Sequence, residues 1–198
     1  MSETFVTYER WKNLNEMNFQ KKMDNPLSAM GIGRRQLVKN WLDEMGVKHY
    51  TINDDFTIDA DSVYLEDRNL IEFPNFIQFN KINKYFNCND NKLTSLRGCP
   101  TSVGASFHCS YNNLTSLKGC PASIENNFSC HDNNLTSLEG CPTSVGNDFF
   151  CYNNNLISLK GCPSLIGGDF YCRNNKTEFT EEDVRKLCDV NGNVYTTA

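Results

Sequence analysis

Positive charge is scarce in this chain. Lysine and arginine total 19 against 24 acidic residues, a formal charge of −5 over 198 residues, and the cations nowhere form a block. A general nucleic-acid binder needs a strongly basic footprint, which argues against nucleic acid as a partner. Long apolar runs are missing as well. Nothing approaches the roughly eighteen residues of a membrane-spanning helix, so no membrane association is expected. The opening MSETFVTYERWKNLNE lacks a charged start followed by an apolar core, so no signal peptide is expected either. No C-x-x-C pair occurs, and none of the three histidines stands at ligand spacing beside a cysteine pair. No metal and no cofactor is therefore expected.

Cysteine is present, but its ten copies fall short of the density of a disulfide scaffold. Nine of them lie on two ladders of period 21: Cys88, Cys109, Cys130, Cys151 and Cys172, then Cys99, Cys120, Cys141 and Cys162. So many equivalent thiols would risk scrambled pairing in an oxidising compartment. Reduced, buried thiols in a cytosol are the simpler expectation.

The same period governs everything from Phe86 to Arg173. Four blocks of 21 residues align without a gap, and a fifth opens at Phe170. Each reads F-x-C-x-x-N-x-L-x-S-L-x-G-C-P-x-x-[VI]-x-x-x, and a fixed period of this length marks a solenoid. The alternation at Phe128-Ser129-Cys130-His131 predicts a short strand with one buried face. Asn91, Asn112, Asn133, Asn154 and Asn175 recur where the coil turns. An amide both donates and accepts, so a stack of them can satisfy the backbone groups there. Leu114 and Leu117 point back inward, and Gly119-Cys120-Pro121 punctuates the return. The returning arm is too short and too rich in Gly, Pro and Asn for a helix, so extended or single-turn structure is expected. One block alone cannot offset the entropy of ordering itself, so it must stack on neighbours.

The pattern resembles the leucine-rich repeat, L-x-x-L-x-L-x-x-N-x-L, with Phe and Cys in the two central Leu places. N-x-L-T-S-L followed by Pro and a short return arm is similar to the short YopM-type repeats of bacterial type III effectors. The passages Tyr50–Asp59 and Phe170–Lys186 also resemble uncharacterised repeat proteins of tailed phages. The resemblance implies an α+β solenoid: a curved leucine-rich-repeat stack of short parallel strands with small helical caps at both ends. It carries no activity of its own, since the fold hosts many partners.

Outside the blocks the pattern is weaker. Tyr8, Trp11, Leu14 and Met17 suggest a helix over about Thr7–Met23, ended by Asp24-Asn25-Pro26. It serves as a packing arm or as a partner-binding helix. Leu37, Val38, Trp41, Leu42 and Met45 share one face of a second helix over Gly33–Gly46, with Gly46 as its C-cap. Val47–Ile52 and Asp55–Ile58 read as short strands. Val63-Tyr64-Leu65 opens a divergent first coil in which Arg68 replaces the Asn. Thr180-Glu181-Glu182-Asp183 starts a short helix, and Val194–Thr196 a final strand. The expected division is 1–55 as an N-terminal helical cap, 56–176 as the solenoid and 177–198 as a C-terminal cap.

The places flanking Phe and Cys should face water and form the binding lawn of the inner face. Phe150, Tyr152, Tyr171 and Arg173 gather at its C-terminal end, flanked by Asp148 and Asp169, with His108, Tyr111 and His131 one coil back. Aromatics with Arg are the residue types that dominate interface energies, so a protein partner docking there is the favoured expectation. The bland reading is cross-strand stacking that only supports the sheet. His108 and His131 with Asp132 could suggest acid–base chemistry, but a flat lawn offers no enclosed pocket, and no catalytic residue is assigned. Two alternatives remain. One is an acidic charge mimic using Glu66, Asp67, Asp90 and Asp132 to inhibit a nucleic-acid-binding protein. The other is a structural or assembly component.

Overall fold

The computed structural model describes residues 32–196. The expected helix over Thr7–Met23 lies outside them. Helix α1 spans Ile32–Glu44, and the five apolar residues anticipated on one face are all buried. It ends at Gly46, whose φ of 74° is the left-handed backbone that glycine adopts without a Cβ penalty. Trp41 lies 6.2 Å from the ring of Phe73 and 6.4 Å from that of Phe79.

Strands β1 (Tyr50–Ile52) and β2 (Ile58–Ala60) form an antiparallel hairpin. The second starts later than the sequence suggests, because Asn53–Thr57 closes a turn: Asn53 N donates to Thr57 O at 2.8 Å, and Phe56 takes a φ of 67°. Thirteen short strands follow. Seven of them stack in register as one parallel sheet: β3 (Val63–Tyr64), β5 (Phe86–Asn87), β7 (Phe107–His108), β9 (Phe128–Ser129), β11 (Phe149–Phe150), β13 (Phe170–Tyr171) and β15 (Val194–Tyr195). The returning arms supply β4 (Phe79–Ile82), β6 (Ser102–Val103), β8 (Ser123–Ile124), β10 (Ser144–Val145), β12 (Leu165–Ile166) and β14 (Asp189–Val190). With the hairpin these make an eight-stranded second sheet, parallel beyond β1. The arm is therefore extended, as expected, and pairs with its neighbours at every coil. Apart from α1, the one described helix is α2 (Glu181–Arg185). The molecule is a β-solenoid of stacked parallel strands, about 21 residues per turn, with few helices.

The core between the sheets is a set of columns. Phe86, Phe107, Phe128, Phe149 and Phe170 are fully buried, with ring centroids 5.1–5.7 Å apart along the stack. Cys88, Cys109, Cys130 and Cys151, the paired leucines and Val103, Ile124, Val145 and Ile166 fill the rest.

The asparagine column does what an amide is suited to do. Asn133 Oδ1 accepts from Leu114 N of the preceding coil at 2.9 Å, while its Nδ2 donates to Cys109 O at 3.0 Å and to Cys130 O at 3.2 Å. Asn112 and Asn154 repeat this set one coil away on either side. At Arg68 the column stops, and Asn91 Oδ1 serves the N–H groups of both Arg68 and Leu70. Where the coil returns, Gly119 has a φ of 100°, and a Cβ there would lie 2.9 Å from Leu96 O. Only glycine fits.

Both ends of the eight-stranded sheet are closed by an arginine. Arg35 of α1 donates to Ile52 O at 2.6 Å and Asn53 O at 3.1 Å, beside β1. Arg185 of α2 donates to Val190 O at 2.7 Å and Gly192 O at 3.0 Å, on β14 and just after it. Exposed edge carbonyls invite pairing with another chain, and a guanidinium fork occupies them. Thr180 and Asp183 form the reciprocal capping box that starts α2.

One expectation about sulfur is corrected. Cys162 and Cys188 are joined in a disulfide, whereas the other eight cysteines are free. Cys162 is the last rung of its ladder, and the chain after α2 brings the one cysteine outside both ladders to within 6.5 Å, Cα to Cα. The free thiols match the reduced state expected of the ladders. Burial pushes those of Cys109, Cys120, Cys130, Cys141 and Cys151 well above the usual thiol range.

Candidate interaction surface

The seven-stranded sheet turns one side to the core and the other to water, and its two-residue strands set which side chain goes where. Phe, at the first place, is buried. The second place, one residue on, projects outward: Tyr64 is 51% exposed, and Phe150 and Tyr171 are half-buried. Parallel in-register pairing then turns like places into columns. Phe150 stacks on Tyr171 at 4.7 Å, and Tyr171 on Tyr195 at 4.4 Å with the planes 5° apart. Two residues further along each coil runs a second column. His131 stacks on Tyr152 at 4.3 Å, Tyr111 meets the His131 ring edge-on at 5.1 Å, and the Arg173 guanidinium lies 5.4 Å from the Tyr152 ring centre. Phe150 and Tyr171 thus meet on the first column and His131, Tyr152 and Arg173 on the second, while Tyr111 reaches His131 from the next place along its coil. The sequence reading missed Tyr195, although its two-residue offset from Asn193 was the available signal.

Three places depart from the expected outward lawn. Ser106, Ser110 and Ser129 are buried, at 3%, 0% and 5% exposure. Ser129 sits in register between His108 and Phe150, so a small side chain is overshadowed by larger ones on both sides.

His108 belongs to the first column. Burial, and then the nearby charge of His131, push its pKa below the usual imidazole value. His131 Nδ1 lies 2.7 Å from Asp132 Oδ2, and Asn153 Nδ2 donates to Asp132 Oδ1 at 3.0 Å. Burial raises the pKa of Tyr152. Burial and a hydrogen bond from the Tyr171 hydroxyl to Asp169 Oδ2 at 3.2 Å push Tyr171 up to about 12. Both phenols are therefore donors at neutral pH.

Asp148 and Asp169 have a task within the fold. Asp148 Oδ1 accepts from Asp169 N at 2.9 Å, and Asp169 Oδ1 from Asn193 N at 2.7 Å. One and two coils earlier, Asn127 and Ser106 make the equivalent bond. A further column lies just beyond the second one: Asp67, Asp90, Tyr111, Asp132, Asn153 and Asn174 all have φ between 51° and 56°. Asp and Asn tolerate this left-handed backbone best. Tyr111 is the exception, held there 49% exposed with its ring against His131.

The rest of the molecule offers less. A groove of about 760 Å³ lies at the return arms, lined in part by Leu96, Arg97, Cys99, Lys118 and Cys120. Among the described residues no helix is long and apolar enough to cross a membrane. Comparisons of the chain with protein-family models, with curated proteins and with solved structures find no match.

Proposed function

We propose that this protein is a non-enzymatic binding module of the leucine-rich-repeat kind, which captures a protein partner on the outward face of its seven-stranded sheet. The observation that carries the reading is a choice of residues within single columns. At the place of Phe150, Tyr171 and Tyr195 the same chain also uses Asn87 and Ser129, and at the place of Tyr152 it uses Asn89 and Ser110. The coil therefore closes without a ring at either place. Rings concentrated in the C-terminal coils are surplus to folding, and Tyr and Arg in a cluster are the usual anchors of an interface. The phage-like phrasing of Tyr50–Asp59 and Phe170–Lys186 supports a phage or bacterial factor acting on a host protein in the host cytosol.

The test replaces Phe150 with Ser and Tyr171 with Asn, residues already present in that column. Far-UV circular dichroism and the thermal midpoint should stay close to wild type. Capture of a partner from native cytosol, identified by mass spectrometry and then titrated in purified form, should weaken by more than about tenfold. Unchanged affinity in the folded variant removes this face from consideration.

A further inference from the structure

On the reading of this face as a docking surface, we propose that its occupant is a cationic polypeptide surface, one that presents Lys or Arg side chains to the ring columns and to the carboxylates beside them. The four outward places of the sheet carry Glu66, Asp67, Asp90, Asp132, Asp148 and Asp169, with Arg173 as their single Lys or Arg. Their balance equals the −5 of the whole chain, so the net charge of the protein is that of one face. Among the described residues these carboxylates form no ion pair with Lys or Arg. The acids Asp43, Asp54, Asp61, Glu139, Glu181 and Glu182, away from that face, each have one.

The fold does not require this charge. Asn127 accepts the backbone N–H of the next coil as Asp148 does, at 3.1 Å against 2.9 Å. Asn153 and Asn174 hold the left-handed backbone that Asp67 and Asp90 hold. Neutral amides thus perform the structural task in the same columns. Neighbouring strands are only about 4.7–4.9 Å apart, and like charges on adjacent rungs repel. Asp148 above Asp169 is therefore a cost unless a cation lies over the pair. Arg173 demonstrates the complementary half: a guanidinium already rests on the Tyr152 ring, and aromatic faces and edges beside carboxylates are where guanidinium and ammonium groups bind.

The probe is a fluorescein-labelled nona-arginine peptide, with a nona-citrulline peptide as its neutral counterpart, titrated against the full chain by fluorescence anisotropy at low and at physiological salt. Nona-arginine should bind and citrulline should not, with an affinity that falls as salt rises. The variant Asp67→Asn, Asp90→Asn, Asp148→Asn and Asp169→Asn should lose at least tenfold. A control removing four acids elsewhere, Glu125→Gln, Glu139→Gln, Glu178→Gln and Glu182→Gln, should change affinity less than twofold. Equal losses in the two variants, no loss in the first, or no binding of nona-arginine would overturn the proposal. The same four-Asn variant separates it from the docking reading. If that variant captures the cytosolic partner at full strength while the Phe150/Tyr171 variant fails, docking stands and the cationic occupant is wrong. If both capture it fully, both ideas fall.

Discussion

Replacing Asn133 with Ala should destabilise the protein by about 2–4 kcal/mol, far more than an exposed polar residue would. The side chain is buried, and its removal leaves the Leu114 N–H without its acceptor at 2.9 Å and takes from the Cys109 carbonyl one of its two amide donors, Asn112 Nδ2 at 3.2 Å being the other. A buried donor or acceptor left unsatisfied costs about 1–3 kcal/mol, and the small void adds to that. Urea unfolding followed by far-UV circular dichroism gives the number. Asn113→Ala, on an exposed neighbour, is the control and should lie within about 0.5 kcal/mol of wild type. The isosteric Asn133→Asp tests the donor side separately. Its carboxylate still accepts from Leu114 N but turns lone pairs toward the carbonyls of Cys109, Cys130 and His131, which the amide now donates to. Burial beside those dipoles raises the folded pKa of the new carboxyl above the ordinary Asp value of about 3.9. This variant should therefore be worst at neutral pH and recover as the pH falls through that raised pKa. A loss below about 1 kcal/mol for Asn133→Ala, or no acid recovery for Asn133→Asp, would refute the idea that the amide column joins the coils.

Other outcomes follow from the same contacts. His108 has a folded pKa below its ordinary value, because burial and His131 disfavour its charged form. The unfolded chain then binds the proton more tightly, so stability should fall as pH drops below about 6.5 and not above it; His108→Asn should flatten the urea midpoint between pH 7 and 5. The buried thiols are pushed upward by burial, so a thiol reagent should label Cys109, Cys130 and Cys151 only after denaturant is added, as peptide mapping would reveal. Stability should also decline above about pH 9, where the unfolded thiols ionise and the folded ones do not. Tyr111→Asn places a residue suited to the left-handed backbone where its column neighbours are Asp and Asn, and should raise the unfolding free energy by about 1 kcal/mol while weakening partner capture.

Much of the solenoid was legible because each column has one chemical requirement that repeats. Phe128 and Cys130 alternate with polar residues, Asn133 answers a fixed backbone need, and Gly119 marks a left-handed return, so period and residue type pointed the same way. The second sheet was harder to read. A strand such as Ser123–Ile124 contributes one apolar residue per coil, and its extended state comes from pairing with the coils on either side rather than from local pattern. The Cys162–Cys188 bond was invisible for a related reason: Cys188 lies on neither ladder, and only the path of the chain after α2 brings it near Cys162. The surface was half legible. Column membership predicted that Phe150 would meet Tyr171, yet the backbone bonds made by Asp148 and Asp169 depend on the coil after them. The burial of Ser110 and Ser129 depends on the bulk of their neighbours.

Asn112, Asn133 and Asn154 perform identical service for the coil beneath, so interior turns are interchangeable parts. A duplicated or deleted stretch of one full period arrives with its donors and acceptors already facing partners, while Arg35 and Arg185 stay at the two termini of the sheet. The molecule is thus free to lengthen or shorten in whole steps through copying of its gene. Its length along the stack becomes a matter of how many steps are kept.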